Sequence, residues 1–281
     1  MHTGAASLSN AKPVAESNSI EAAAFVIQFE REFSELEIEA LFALEQRLKD
    51  ELPSFQKMTA LSVNISDEQL APITRPRLGG VVLQHFQENG KPDWVLRAGH
   101  NQITVNCLKY TRWNEISATS IRFLSAAAKS VDSETNRITA VATQFIDKFI
   151  YESIPINYDI QDVFRKDSVF LTQQASVSGN QWHVFQGWFT YPENTAFPKG
   201  KVLNVINLTS AIQNEQLQAI IDHTSQITFD LPAPVRNIVE PHIKVGSALL
   251  GDCYVFLHEQ NKIMMRKTLS DVQLKAIKLE Q

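Results

Sequence analysis

A chain of 281 residues with 44% hydrophobic and 20% charged side chains has ample material for a packed core, which argues against intrinsic disorder. Its 26 basic and 31 acidic residues give a formal charge of −5, the reverse of the basic excess with which proteins usually hold nucleic acid through its phosphates. No run approaches the ~18–20 apolar residues of a membrane-spanning helix, and the two cysteines, Cys107 and Cys253, are too far apart to form a CxxC zinc pair.

Met1 to Ser19 is rich in Ala, Ser and Asn and lacks a basic stretch followed by an apolar core, so it reads as a loose leader rather than a secretory signal. Ala24 to Phe29 predicts a first strand, apolar enough to be buried on both faces. Ser34-Glu35-Leu36-Glu37 matches a capping box, and Ile38, Leu41, Phe42, Leu48 and Leu52 continue at helical spacing until Pro53. Strands follow at Met58 to Ile65, Gly80 to Gln87, Trp94 to Arg97 and Ile103 to Tyr110, with turn chemistry at Glu88 to Pro92 and Gly99 to Asn101. Ile116, Ser120, Phe123, Leu124, Ala127 and Val131 outline a second helix, and Ile138 to Ile146 a further strand.

Beyond Ser153-Ile154-Pro155 lies a short segment, Asp159 to Phe164, then strands at Val169 to Val177, Trp182 to Tyr191 and Val202 to Leu208, with Ser178-Gly179-Asn180 as a turn. Leu217 to Ile221 fits either helix or strand. Pro232, Pro234 and Pro241 interrupt regular structure, and a long helix is expected from Pro241 towards Met265. Without strictly alternating βαβ units, the pattern predicts an α+β fold of two similar halves, each a mainly antiparallel sheet packed with one or two helices. The predicted organisation is a leader at 1–19, an N-terminal half at 20–152 and a C-terminal half at 153–281.

Several segments carry a family resemblance. Ile20 to Phe25, Tyr110-Thr111-Arg112-Trp113, and Arg137 leading into Gln144-Phe145-Ile146 are one set; Leu257-His258-Glu259, Ile263-Met264-Met265 and Leu269-Ser270 are the other. Together they resemble a sporadically distributed, functionally uncharacterised bacterial family of about this length, over nearly the whole chain from Ile20. The departure is at Gln144-Phe145-Ile146-Asp147, where the family tends towards Arg-Tyr-Ile-Asn. No catalytic residue comes with the resemblance, and a patchy distribution implies dispensable genes such as those of defence, toxin–antitoxin or mobile-element systems.

The chemistry motifs are sparse. There is no GxxxxGK[ST], Gly79-Gly80 is too short to cradle a pyrophosphate, and Gly246 to Gly251 reads as helix packing. The seven histidines are scattered; neither Asp222-His223 nor His258-Glu259 is a chelating pair, because neighbours in sequence diverge in space. No GxSxG elbow occurs. Cys107 and Cys253, set among apolar neighbours, read as buried thiols suited to a reducing cytoplasm. His258, near Asp252 and Glu259, is the one histidine worth testing for catalysis, although a structural hydrogen bond explains it more simply. The carboxylates at Glu30, Glu32, Glu35, Glu37, Glu39 and Glu45 read as a solvated helix face, with an acidic docking face as the sharper alternative.

Gln181 to Tyr191 is the most unusual segment. Alternation puts Trp182, Val184 and Trp188 on one face of a strand and Phe185, Phe189 and Tyr191 on the other. The sequence thus predicts a non-enzymatic protein-interaction module of the bacterial cytoplasm, of defence or toxin–antitoxin type. Trp182 and Trp188 are its first partner-binding candidates, and Arg112 and Trp113 its second; the expected partner is a protein or another copy of the chain. No cofactor, metal or catalytic residue is predicted. The alternative is nucleic-acid binding or processing through Arg97, Lys109 and Arg112. A third reading is an unfamiliar small-molecule enzyme, which a convergent pocket of buried polar groups between the halves would favour.

Overall fold

Alternation along Ile138–Tyr151 (β7) sets the architecture. Val141, Thr143, Phe145, Asp147, Phe149 and Tyr151 turn to one face and are buried, while Gln144, Ile146, Lys148 and Ile150 turn to the other and stay partly exposed. In the computed structural model, which describes residues 10–15, 18–64, 73–154, 158–193, 195–240 and 248–280, β7 runs through the middle of a ten-stranded sheet.

The other strands are β1 (Ala11–Pro13), β2 (Ile20–Phe29), β3 (Ser54–Asn64), β4 (Ile73–Phe86), β5 (Pro92–Gly99), β6 (Gln102–Cys107), β8 (Trp182–Thr190), β9 (Gly200–Gln213) and β10 (Gln216–Ala233). Their order is β3-β4-β5-β6-β2-β7-β10-β9-β8, with antiparallel pairing throughout. After β2 the chain forms helices and then a four-strand meander, β3 to β6, whose last strand returns to β2. After β7 it forms a three-strand meander, β8 to β10, whose last strand returns to β7. The expected α+β class holds. In place of one sheet per half, the pairing of β7 with β10 joins the strands on either side of residue 152 into a single sheet.

The helices are α1 (Glu35–Ala40), α2 (Ala43–Arg47), α3 (Trp113–Ser130), α4 (Gln173–Val177), α5 (Val235–Val239), α6 (Leu249–Thr268) and α7 (Asp271–Ala276). α3 and α6 lie on the face that carries Phe25 and Phe145: Trp113 stacks near Phe25, Tyr254 meets Phe25 edge-on, and His258 leans on Phe145. Gly251 of α6 lies against Ile121 of α3, the helix-packing use expected of it. The opposite face of the sheet carries half-exposed side chains such as Ile146 and Lys148, as one-sided antiparallel sheets do. Among the described residues, no helix is long and apolar enough to cross a membrane.

The capping box forms as expected: Ser34 Oγ accepts from the Glu37 amide at 3.3 Å, and the Glu37 carboxylate accepts from the Ser34 amide at 2.7 Å. Glu37 departs from the solvated face predicted for it. It is buried, accepts two bonds from the Arg31 guanidinium at 2.8 and 2.9 Å, and a third from Ser133 at 2.9 Å. Burial alone would raise its pKa; the bonds from Arg31, Ser34 and Ser133 outweigh that and hold it at about 2. Glu35, Glu39 and Glu45 are exposed.

Five local expectations are corrected or resolved. Val169 to Val177 is no strand, because Thr172 Oγ1 accepts from the Ala175 amide and caps α4 instead. Leu217 to Ile221 belongs to β10, entered by a turn in which Asn214 and Glu215 both take positive φ, at 49° and 64°. Pro232 does not interrupt β10 but lies near its end, past the register shift after Thr228. The long helix begins at Leu249; Pro241 and the residues to 247 lie outside the described residues, as does Ile65. Ala11–Pro13, read from sequence as part of the leader, pairs with Phe149 to Tyr151 as β1.

Candidate functional site

Two features stand out: a polar cleft where β7 passes beneath α6, and the free edge of the sheet at β8.

The cleft, about 370 Å³, is assembled from five parts of the chain. On α6, His258, Asn261, Lys262 and Met265 share one side because they are spaced i, i+3, i+4 and i+7. The loop from β6 into α3 brings Tyr110, Arg112 and Trp113. Ser19 and Asp147 form the floor, where β2 and β7 shift register between Ile20 and Ala22.

Asp147 is 2% exposed. Its Oδ1 accepts a hydrogen bond from Ser19 Oγ at 2.6 Å, and its Oδ2 has no hydrogen-bond partner among the described residues. Burial raises its pKa from 3.8 to about 7, and the bond from Ser19 opposes that only in part. Burial also pushes the Tyr110 phenol up, and the charge of Asp147 adds to it. His258 stacks flat on Trp113, with ring centroids 3.8 Å apart and planes within 4°. Burial lowers its pKa to about 4, Lys262 lowers it further and Glu259 opposes, so the ring is neutral at pH 7.

Behind the cleft a buried polar chain runs from Asn261 to His223 (Nδ1 to Oδ1, 2.9 Å), from His223 to Ser225 (3.1 Å), and from Ser225 Oγ to Asn204 Oδ1 (2.7 Å). Burial lowers His223 to about 4, against the bond to Asn261, so it too is neutral. Sequence reasoning missed this chain and Asp147 because their partners meet only in the fold: Asn261 reaches His223 where α6 crosses β10, and Ser19 reaches Asp147 where β2 pairs with β7. An acidic residue at an inward position of an apolar strand was the available signal.

The cleft holds a carboxyl able to exchange a proton near neutrality, but not an activated thiol. Burial pushes the pKa of Cys107 up to about 11 and that of Cys253 up to about 12. Among the described residues no group of three or more His, Cys, Asp or Glu side chains is placed to hold a metal ion.

At the sheet edge, β8 pairs with β9 on one side and, among the described residues, with no strand on the other. The two aromatic faces predicted for it are present. Trp182 is 8% exposed, meets Phe164 edge-on, and donates its indole N–H to Tyr158 Oη at 3.2 Å. Trp188 is half-buried and stacks on Phe170. The other face is open: Phe185 is 65% exposed, Phe189 52% and Tyr191 73%. Gly187 lies between the two phenylalanines opposite Val205, leaving a notch, and Lys201 Nζ is 5.2 Å from the Phe189 ring centre. Of the four partner-binding candidates, Trp182 and Trp188 therefore face the core side of β8, whereas Arg112 and Trp113 lie at the cleft. A scan of protein-family profiles finds no match to the chain, and a search of curated proteins finds none.

Proposed function

We propose that this chain is a non-enzymatic protein-interaction module that docks an extended segment of a partner protein along β8. The carrying observation is the free edge of β8 beside an open aromatic face at Phe185, Phe189 and Tyr191. Main-chain groups of an edge strand supply affinity in strand addition, and alternate side-chain pockets supply specificity. The notch over Gly187, walled by Phe185 and Phe189, is such a pocket. Covering each phenylalanine contributes about 1.5–3 kcal/mol, in line with the few aromatic anchors that dominate interfaces.

The topology supports the same edge. Dividing the sheet before β7 rather than at residue 152, we read β2–β6 and β7–β10 as two halves on one plan, a first strand followed by a meander that returns to it. The first meander has four strands and the second has three. A partner strand added to β8 occupies the place that β3 holds in the other half. The buried, unpaired thiols Cys107 and Cys253 suit a reducing cytoplasm, and the resemblance to a patchily distributed bacterial family suits a partner of defence or toxin–antitoxin type.

The second reading, nucleic-acid binding, draws on the exposure of Arg97, Lys109 and Arg112. Purification of the tagged protein from its native host separates the two. Docking at β8 predicts a stoichiometric protein that is lost from a Phe185→Ser, Phe189→Ser variant and kept by Asp147→Asn. Recovery of nucleic acid, with binding that falls steeply with salt, supports the second reading. A partner retained by the double variant refutes docking at β8.

A further inference from the structure

The cleft over Asp147 is independent of the β8 edge, and its charges are arranged in layers. At the floor is a carboxyl that is almost wholly buried, with one oxygen free of any partner among the described residues and no cation paired with it. At the mouth the sign is reversed. Arg112 is exposed and makes no ion pair among the described residues; Lys262 is paired with Glu259 at 2.7 Å. Arg112 is the N-cap of the 18-residue α3 but offers no side-chain cap, so the amides of Trp113 and Asn114 find no acceptor among the described residues. These amides and the helix dipole add positive potential beside the two cations. Between floor and mouth, Met265, Ile277 and Leu279 give the cleft an apolar wall.

We propose that this cleft binds a small zwitterion, with an ammonium or guanidinium group seated against Asp147 and a carboxylate held at the mouth by Arg112, Lys262 and the amino end of α3. The cation supplies the counter-charge that the Asp147 carboxyl lacks at the cleft floor, where Tyr110 and His258 also line the wall. A purely cationic ligand is disfavoured by the two positive side chains at the mouth. A metal ion is disfavoured by the single carboxylate at the floor. A nucleotide base would have to displace His258 to stack on Trp113, because the two rings already lie face to face at 3.8 Å. The volume of about 370 Å³ is in the range of small-molecule pockets, and the apolar wall suits the methylene chain of a basic amino acid.

The groups that titrate around the ligand are Asp147 on β7, Tyr110 before α3, and His258, Glu259 and Lys262 on α6. Tyr110 is pushed up and His258 and Glu259 are pulled down, which leaves Asp147 as the carboxyl changing charge near pH 7 in the empty cleft, so affinity for the cation should rise between pH 6 and pH 8.

The test is isothermal titration calorimetry on the full chain at pH 7.5 with L-arginine and L-lysine, and with agmatine and cadaverine, which lack the carboxylate. One of the two amino acids should bind saturably at one site and at least tenfold more tightly than its decarboxylated counterpart. Asp147→Asn should weaken it at least tenfold, and Lys262→Ala should narrow the ratio between amino acid and amine, weakening the amino acid and tightening the amine. If Asp147→Asn fails to fold, Lys262→Ala and Arg112→Ala, on side chains at the mouth, decide by that ratio. The proposal is overturned if neither amino acid binds at millimolar concentration, if the amine binds as tightly, if folded Asp147→Asn binds unchanged, or if adenosine monophosphate is the one that saturates the site.

Discussion

Replacing Asp147 by asparagine keeps the shape of the side chain and removes its titration, which isolates the energetic cost of the buried carboxyl. In the native chain this group titrates at about 7, against 3.8 in an unperturbed setting. Below pH 3.8 it is protonated in both states and makes no difference to stability. As the pH rises, the unfolded chain releases the proton first, so stability falls progressively and the loss is complete once the pH passes through 7. Three pH units at ~1.36 kcal/mol each correspond to roughly 4 kcal/mol, of which about 3 kcal/mol falls between pH 5 and pH 8.5. Asparagine preserves an acceptor for Ser19 and places an N–H where the neutral acid has its O–H, so the two proteins are alike when Asp147 is protonated. Urea melts of both proteins, followed by circular dichroism at pH 5 and pH 8.5, should therefore show the variant gaining about 3 kcal/mol on the wild type over that interval. A difference that does not change with pH would refute the burial of an unpaired Asp147.

Other perturbations test the remaining structure. Ser34→Ala should cost about 1 kcal/mol through loss of the cap, and Leu41→Ala, fully buried beneath the same helix, about 2–5 kcal/mol; equal, negligible effects in denaturant melts would contradict that packing. Arg31→Ala leaves Glu37 without its cation and should cost about 1–2 kcal/mol at pH 7, less than a fully buried pair because the guanidinium is 38% exposed and screened by solvent. That cost should shrink as the pH falls towards 2, where Glu37 is protonated even when paired. Cys107 and Cys253 should react with a thiol reagent at pH 8 only at the rate of unfolding, because both are buried and their pKa values are raised.

Local signals in the sequence were legible where the physics is local. The capping box at Ser34 and Glu37, the helical spacing from Ile116 to Val131, and the two-faced aromatic strand from Trp182 to Tyr191 all depend on neighbours within a few residues. The turn into β10 was obscured because Asn214-Glu215 takes positive φ without a glycine to mark it. α4 was mistaken for a strand because the apolar Val169, Phe170, Leu171 and Val177 outweighed the cap at Thr172. Glu37 reads as solvated until Arg31 and Ser133 are brought to it. Joining of the halves into one sheet depends on Ile150 of β7 meeting Gln218 of β10, and the floor of the cleft depends on Ser19 meeting Asp147 from another strand. Periodicity carries no information on either.

The most direct measurement of docking at β8 is hydrogen–deuterium exchange on the chain alone and in complex with the protein that co-purifies with it. The amides of an edge strand that point away from its neighbour exchange readily until another strand covers them. Strand addition predicts slowed exchange across Trp182–Thr190 in the complex, with β3 at the far edge of the sheet unchanged. Protection confined to β3, or to α3 and α6 around the cleft, with β8 exchanging as in the free chain, would contradict it.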